Sequence, residues 1–372
     1  MRKKKHFVKQ SVLLSICAAS LALAAVCAGI CAWLTGLLSS QKEAERWQGD
    51  GETGFSQVSC FLPVDAKITL NQIGSFRTAM MKKLQDASLD VRGEEQLMSD
   101  AWSTSAELKA VSDHGNGTAA CIAVGGSFFD FHPLRLLSGD YIRQTDLMQD
   151  RVLLDENLAW LLFGGTELQG MSIKLNGVPF AVAGVVEREQ DFASRKADET
   201  ELRLFMRYDA LLQIDDSAKI DCYECVVAEP VRGFAVNAVR EKFPIGRGVI
   251  LCNTTRYEYQ KLMNLVRDFG TRSTQATGVA YPYWENAARI IEDWAGLCCV
   301  LGTALAGLAA ATGLAVLIPI LQKGRTRLEE DILPDAVERA EEAVRVRQRK
   351  RWERQHPDSR EKPPSDNERK QT

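Results

Sequence analysis

Two uncharged apolar runs, Ser11 to Leu38 and Trp294 to Leu321, constrain this chain more than any other feature. At about 1.5 Å per residue in a helix, each can cross about 30 Å of hydrocarbon. A cleaved secretory signal is the rival reading of the first run. Its apolar core would span about 7–15 residues and end at a small-residue cleavage site. The first run is roughly twice that long, so an uncleaved anchor is expected. A lipoprotein reading fails on residues: Cys27 follows Val26 and Cys31 follows Ile30, where a small residue is needed. In the second run Gly302, Ala304, Ala306, Gly307, Ala309 and Ala310 form a surface another helix can approach, or are simply the small residues common in membrane helices. Pro319 can kink that helix near its end.

Orientation follows from the flanking charges. Arg2, Lys3, Lys4, Lys5 and Lys9 precede the first run; Lys323, Arg325 and Arg327 follow the second. Basic residues collect on the cytoplasmic side. The expected organisation is therefore a basic cytoplasmic N-terminus (1–10), a first membrane helix (11–38), an extracytoplasmic domain (39–293), a second membrane helix (294–321) and a charged cytoplasmic tail (322–372). The bilayer is the first expected partner. A net charge of −3 over 372 residues offers nothing to nucleic acid.

The 39–293 stretch mixes strand and helix signals. A polar linker, Ser39 to Thr53, leads to a strand at Phe55 to Leu62. Leu70, Ile73, Phe76, Met80, Leu84 and Ala87 recur at three- and four-residue steps, which predicts an amphipathic helix over Leu70 to Ala87. Glu94 to Ala110 has no clear period. Ser112 to Thr118 reads as a loop, and Ala119 to Val124 as a short strand ending at Gly125-Gly126. Glu187 to Thr200 reads as a charged loop. Strands are expected at Leu202–Met206, Tyr223–Ala228 and Val249–Cys252. Helical stretches are expected at Tyr208–Leu212, Gly233–Phe243 and Tyr257–Phe269, and from Asn286 into the second membrane run.

The sharpest pattern is Val152 to Val186. An apolar strand (Val152–Leu154) precedes Asp155, which can cap a helix carrying Leu158, Ala159, Leu161, Leu162 and Phe163. Gly164-Gly165 ends it, because glycine accepts the left-handed cap. Met171, Ile173 and Leu175 then alternate, as do Val178, Phe180 and Val182, with Asn176-Gly177 between them. That is a strong hairpin signal. Pro179 suits an edge position.

These segments, FFDFHPLRLLSGDY (Phe128–Tyr141), VLLDENLA (Val152–Ala159), LFGG (Leu162–Gly165), Gly170 and FAVAGVV (Phe180–Val186), resemble the extracytoplasmic core domain of MacB-type ABC transporter permeases over about sixty residues. The resemblance implies an α+β domain of two lobes between two transmembrane helices. Its larger subdomain would use residues about 51–125 and 190–285, with a module of about 126–189 inserted. It implies an ABC-type ATPase, a fuller permease subunit, or both, as partners. The pattern carries no catalytic, cofactor or metal residues. The family places three further spans after the core, whereas one run and a charged tail follow it here.

Cys60, Cys121, Cys222, Cys225 and Cys252 fall in the expected outside domain. Cys222-Tyr-Glu-Cys225 has redox spacing, but a redox pair sits at a helix start. This pair falls in a predicted strand, where residues three apart face opposite ways. Small buried thiols, with room for one structural bridge, are the preferred reading. A zinc site would need more ligands than His114 and His132 supply. Phosphate-loop, nucleophile-elbow and zincin motifs are missing, so no enzyme is expected.

In the tail, Ile332, Leu333, Ala336, Val337, Ala340, Ala343 and Val344 trace an apolar stripe, predicting a helix over about Pro334 to Trp352 with a basic end (Arg345 to Arg354). It can be a solvated helix, a contact for anionic lipid, or a docking segment. His356 onward is expected to be disordered. Two functions remain in play. One is a non-catalytic, permease-like subunit of a bacterial ABC or mechanotransmission system, associating through its membrane helices. The other is an anchored scaffold or sensor that binds an envelope ligand. An extracytoplasmic thiol enzyme is the weakest reading.

Overall fold

The computed structural model describes residues 2–51, 53–87, 97–198, 202–270, 278–328 and 333–355. In chain order they form α1 (Arg2–Thr35), α2 (Glu43–Gln48), β1 (Phe55–Phe61), α3 (Leu70–Asp86), β2 (Met98–Val111), β3 (Asn116–Gly126), α4 (Phe128–Phe131), β4 (Leu136–Gly139), β5 (Arg151–Asp155), α5 (Glu156–Phe163), β6 (Ser172–Leu175) and β7 (Val178–Val186). Then come α6 (Phe192–Ala197), β8 (Arg203–Arg207), α7 (Tyr208–Leu211), β9 (Cys222–Ala228), α8 (Phe234–Lys242), β10 (Val249–Cys252), α9 (Tyr259–Arg267), α10 (Tyr283–Arg327) and α11 (Leu333–Gln355). The domain is mixed α+β and is flanked by two long apolar helices.

One ten-stranded sheet runs in the order β10-β1-β9-β2-β3-β8-β5-β7-β4, with β6 pairing β2 and β7. The pairs β3–β8 and β5–β7 are parallel; the other pairs along that order are antiparallel. Strands β4 to β7 lie within 126–189 and continue this same sheet, β5 against β8 and β6 against β2. The region expected to be an inserted module therefore shares both sheet and core with the strands around it. Val26–Gly302 forms one compact unit; Met1–Ala25 and Thr303–Thr372 form another.

Helices cover both faces of the sheet. On one face α3 buries Ile73, Phe76, Met80 and Leu84 beside Ala235, Ala238 and Val239 of α8, and α5 adds Leu158 and Leu162 to the same core. On the other, Phe128 and Phe131 of α4 meet Tyr283 and Trp284, the first residues of α10. Burial on both faces explains why β9 is buried throughout. A capping box starts α3, the Thr69 backbone N–H donating to Gln72 Oε1 at 3.0 Å. Leu70, counted in the apolar stripe, is exposed.

The central pattern folds as its residues predict. The Leu158 N–H donates to Asp155 Oδ1 at 2.7 Å, and Gly164 closes α5 at φ 75°. Asn176 (φ 47°) and Gly177 (φ 90°) turn the β6–β7 hairpin, and Pro179 pairs only with β6, beyond the reach of β5. The turn also grips β2: the Lys109 N–H donates to Asn176 Oδ1 at 2.9 Å, and the Asn176 N–H donates to the Lys109 carbonyl at 2.9 Å. Asn176→Ala should cost about 1–2 kcal/mol, from left-handed strain plus a lost hydrogen bond. Asn176→Gly, which removes only the hydrogen bond, should cost less in the same denaturant titration.

Three local expectations need correction. The stretch without a clear period contains β2, fourteen residues long, of which Met98 to Thr104 are buried. Its hairpin with β3 begins at Asn116, so the expected loop is confined to Ser112–Gly115. The charged loop contains α6, started by Asp191, whose Oδ1 accepts from the Ala193 and Ser194 N–H groups at 3.0 and 2.9 Å. Residues 94–96, 199–200 and the tail from His356, on which other expectations fell, lie outside the described residues. In the tail α11 spans Leu333–Gln355.

Among the six small residues singled out in the second apolar run, Ala309 is buried, whereas Ala304, Ala306, Gly307 and Ala310 are exposed. The Cys17 thiol donates to the Ala309 carbonyl at 3.3 Å.

Candidate functional site at the helix-to-domain joint

The chain leaves α1 into a short turn held from the sheet side. Leu34 and Leu38 are buried against Ala287, Ala288 and Ile291 of α10 and Ala193 of α6. The Lys42 ammonium donates to the Gly36 carbonyl at 2.9 Å, placing a cation at the C-terminal end of α1. Gln57, fully buried in β1, accepts from the Glu43 N–H at 3.0 Å and donates to the Ser40 carbonyl at 2.7 Å. One side-chain amide thus holds the turn between α1 and α2 at both Ser40 and Glu43.

The other helix is held by charge. Glu285 and Glu292 stand seven residues apart on α10, two turns along one face. Between them and the loop after β10 lies Arg256, 5% exposed. Its Nη1 and Nη2 donate to Glu285 Oε2 and Oε1, both at 2.7 Å, and its Nε donates to Glu292 Oε1 at 2.7 Å. Gln41, from the linker after α1, brings its Oε1 to 3.4 Å from Nη1. A single guanidinium therefore joins the β10 loop, the base of α10 and the exit of α1. Its fork satisfies one carboxylate bidentately and a second through Nε. Burial pushes the Glu285 carboxyl above its ordinary value, with Arg256 acting against that. For Arg256 burial works downward, and Glu285 and Glu292 outweigh it, so the guanidinium stays charged.

A second polar chain ties the first turn of α10 to the β5–α5 corner. Arg203 of β8 lies over the Tyr283 ring at 3.8 Å and reaches Glu189 at 3.2 Å and Asp198 at 2.7 Å. The Tyr283 hydroxyl donates to Glu189 Oε1 at 2.6 Å. Arg188 pairs with Asp198 at 2.8 Å and stands 3.7 Å from Asp155, the cap of α5. Burial pushes Asp155 up, against the Leu158 N–H and the two arginines.

His132 belongs to this joint. Its ring lies 4.5 Å from both Phe128 and Trp284, and its Nε2 meets Glu224 at 2.5 Å. Glu224 also accepts from the Ser59 hydroxyl at 2.7 Å, and Asn253 donates to Ser59 at 2.8 Å. His114 sits exposed in the β2–β3 turn. Among the described residues no three His, Cys, Asp or Glu side chains gather as a metal-binding set.

The Cys222–Cys225 pair divides between the two faces of β9. Cys225 joins the core under α3, and Cys222 joins the core under α10. All ten cysteines are free thiols in this structure. Burial pushes the thiols of Cys60, Cys121, Cys222 and Cys225 up, away from the reactive thiolate.

A cleft of about 950 Å³ opens elsewhere on the domain, lined by Trp47, Arg77, Met81, Phe129, Tyr141 and Arg143 among others. Asp100 also lines it, accepting from Arg77 at 2.5 and 2.7 Å and from the Tyr223 hydroxyl at 2.7 Å. Arg207 holds one rim by donating to the Asp146 carbonyl at 2.9 Å.

Sequence reasoning passed over Arg256, Glu285, Glu292, Gln41, Gln57 and Arg203. One signal was available. Glu285 and Glu292 share a helical face with Ala288, Ile291 and Ala295, and a carboxylate on a buried face requires a buried cation.

The MacB-like periplasmic core domain family matches residues 13–242. No curated protein matches the chain. Solved structures are similar to this chain, three of them as follows. The periplasmic region of MacB from Actinobacillus actinomycetemcomitans is 17% identical, with a TM-score of 0.39, covering 54% of this chain and 89% of that one. The extracellular domain of the noncanonic ABC-type transporter YknZ from Gram-positive bacteria is 14% identical, with a TM-score of 0.36, covering 51% and 92%. A domain of a putative permease protein from Porphyromonas gingivalis is 12% identical, with a TM-score of 0.32, covering 53% and 86%.

Proposed function

Because the chain belongs to the MacB-like periplasmic core domain family, we propose that it is a non-catalytic, permease-like membrane subunit that relays the work of a separate ABC-type ATPase to its outer domain. In this reading residues 11–38 and 294–321 cross the bilayer, both termini face the cytoplasm, and 39–293 lie outside. The basic flanks at Arg2–Lys9 and Lys323–Arg327 support that orientation. The observation that carries the reading is the Arg256 clamp. A relay needs its helices fastened to the domain they move, and one buried guanidinium fastens the base of α10 and the exit of α1 to the β10 loop.

Purification of the full-length protein in mild detergent from its native membrane tests this. An ABC ATPase should co-purify, and deletion of the chain after Leu321 should lose it. Recovery of envelope proteins alone would overturn the relay and favour the second reading, an anchored scaffold or sensor. The 950 Å³ cleft, with its aromatic walls and two arginines, favours that alternative.

A further inference from the structure

Four cysteines sit on the two long helices next to the joint, Cys27 and Cys31 on α1 and Cys298 and Cys299 on α10. Cys27 and Cys31 are four residues apart and so share a helical face. Across from that face, Cys31 Sγ and Cys299 Sγ are 3.8 Å apart, sulfur against sulfur. Cys31 Sγ also stands 3.9 Å from the Ala295 carbonyl. Both thiols are partly exposed, whereas Cys60, Cys121, Cys222 and Cys225 are sealed in the sheet core.

The pair lies where the helices are already fastened. Leu34, three residues beyond Cys31, is buried with Ile291, eight residues before Cys299. A disulfide needs a sulfur separation of about 2.05 Å. Closing a 3.8 Å contact to that length takes less than 2 Å of sulfur movement, within reach of side-chain rotation and a helix shift of about 1–2 Å. Ala295 is a small neighbour that leaves the thiols room.

We propose that Cys31 and Cys299 are a redox-modifiable pair that closes into a disulfide between α1 and α10. The oxidant is an external disulfide, small-molecule or protein-borne. One cysteine thiolate attacks it, forming a mixed disulfide and releasing one thiol. The second cysteine displaces the other half, so two cysteine thiols and one disulfide become one cystine and two thiols. The two electrons pass to the external disulfide, and the cysteine protons end on the released thiols. The closed pair pins the two helices to each other beside the joint and removes their freedom to slide. Reduction restores it. This goes beyond the relay reading and does not depend on an ATPase.

The test uses full-length protein in its native membrane and dipyridyl disulfide, which enters apolar layers. After treatment and acid quenching, denatured protein is labelled with a heavy maleimide and mapped by mass spectrometry. The expected result is a Cys31–Cys299 linked peptide within one chain. It should be lost in Cys31→Ala and Cys299→Ala, kept in Cys27→Ala and Cys298→Ala, and reversed by dithiothreitol. Pyridyl adducts on Cys31 without that peptide would overturn the proposal. So would a link that maps to Cys27 and Cys298, or one that joins two chains. Alanine at these helix positions preserves helix propensity, so a misfolded variant does not account for a missing link.

Discussion

Arg256→Met should destabilise the domain by about 3–5 kcal/mol, the cost of leaving buried carboxylates without their cation. Glu285 loses both of its guanidinium bonds and Glu292 loses one. Arg289, 3.7 Å from Glu285 and half turned to Tyr281, cannot replace a bidentate fork. Methionine matches the arginine stem in volume, so the loss reports charge rather than a cavity. Arg256→Lys should fall between, keeping the charge and losing the planar fork. The decisive comparison is Arg256→Met with Glu285→Leu and Glu292→Leu. Replacing a whole buried ion group with apolar side chains is often neutral, so most of the lost stability should return in thermal or urea unfolding of the detergent-solubilised chain. If the single variant loses less than about 1 kcal/mol, the range of exposed pairs, the clamp is not the desolvated joint described above.

Gly126→Ala should cost about 2–5 kcal/mol, combining left-handed strain with overpacking. Gly126 ends β3 at φ 65°, and a Cβ there would overlap the Asp100 carbonyl oxygen and press on the Trp102 ring. That carbonyl is already fixed, accepting from the Ser127 N–H at 2.9 Å. Relief would require Asp100 to move, and Asp100 holds Arg77 in the wall of the cleft and accepts from the hydroxyl of the buried Tyr223. Gly164→Ala is the matched control. Its φ of 75° is equally left-handed, but a Cβ there meets nothing within 4 Å. It should lose only the strain, about 1–2 kcal/mol. Equal losses in the two variants would mean that the close approach at Gly126 relaxes freely.

Legibility in the sequence followed how local the determinants were. Val152 to Val186 could be read because each cue acts within a few residues: Asp155 on Leu158, Gly164 at the end of α5, Asn176-Gly177 between alternating runs. Strand β2 could not, because its inward positions include Ser99, Asp100, Ser103 and Thr104. These are buried only because distant residues satisfy them, as Arg77 and Tyr223 do for Asp100 and Asp221 does for Thr104. Helix α6 was hidden in a charged stretch whose single useful cue was the Asp191 cap. The joint was the least legible part. Arg256 meets Glu285 and Glu292 at separations of 29 and 36 residues, and no periodicity encodes such a meeting.

Leu34 and Leu38 pack beside Ala287, Ala288 and Ile291, so the domain's two chain ends enter side by side. Topologically, everything from Ser39 to Pro282 hangs as one loop at the tip of a helical hairpin. A unit with adjacent ends can be spliced into a host at a single point with little strain on the host. The same arrangement makes the domain a portable cassette. Residues 39–282 should be transplantable between helix pairs, provided the recipient supplies its own equivalents of Tyr283 and Trp284 to complete the core and of Glu285 and Glu292 to receive Arg256.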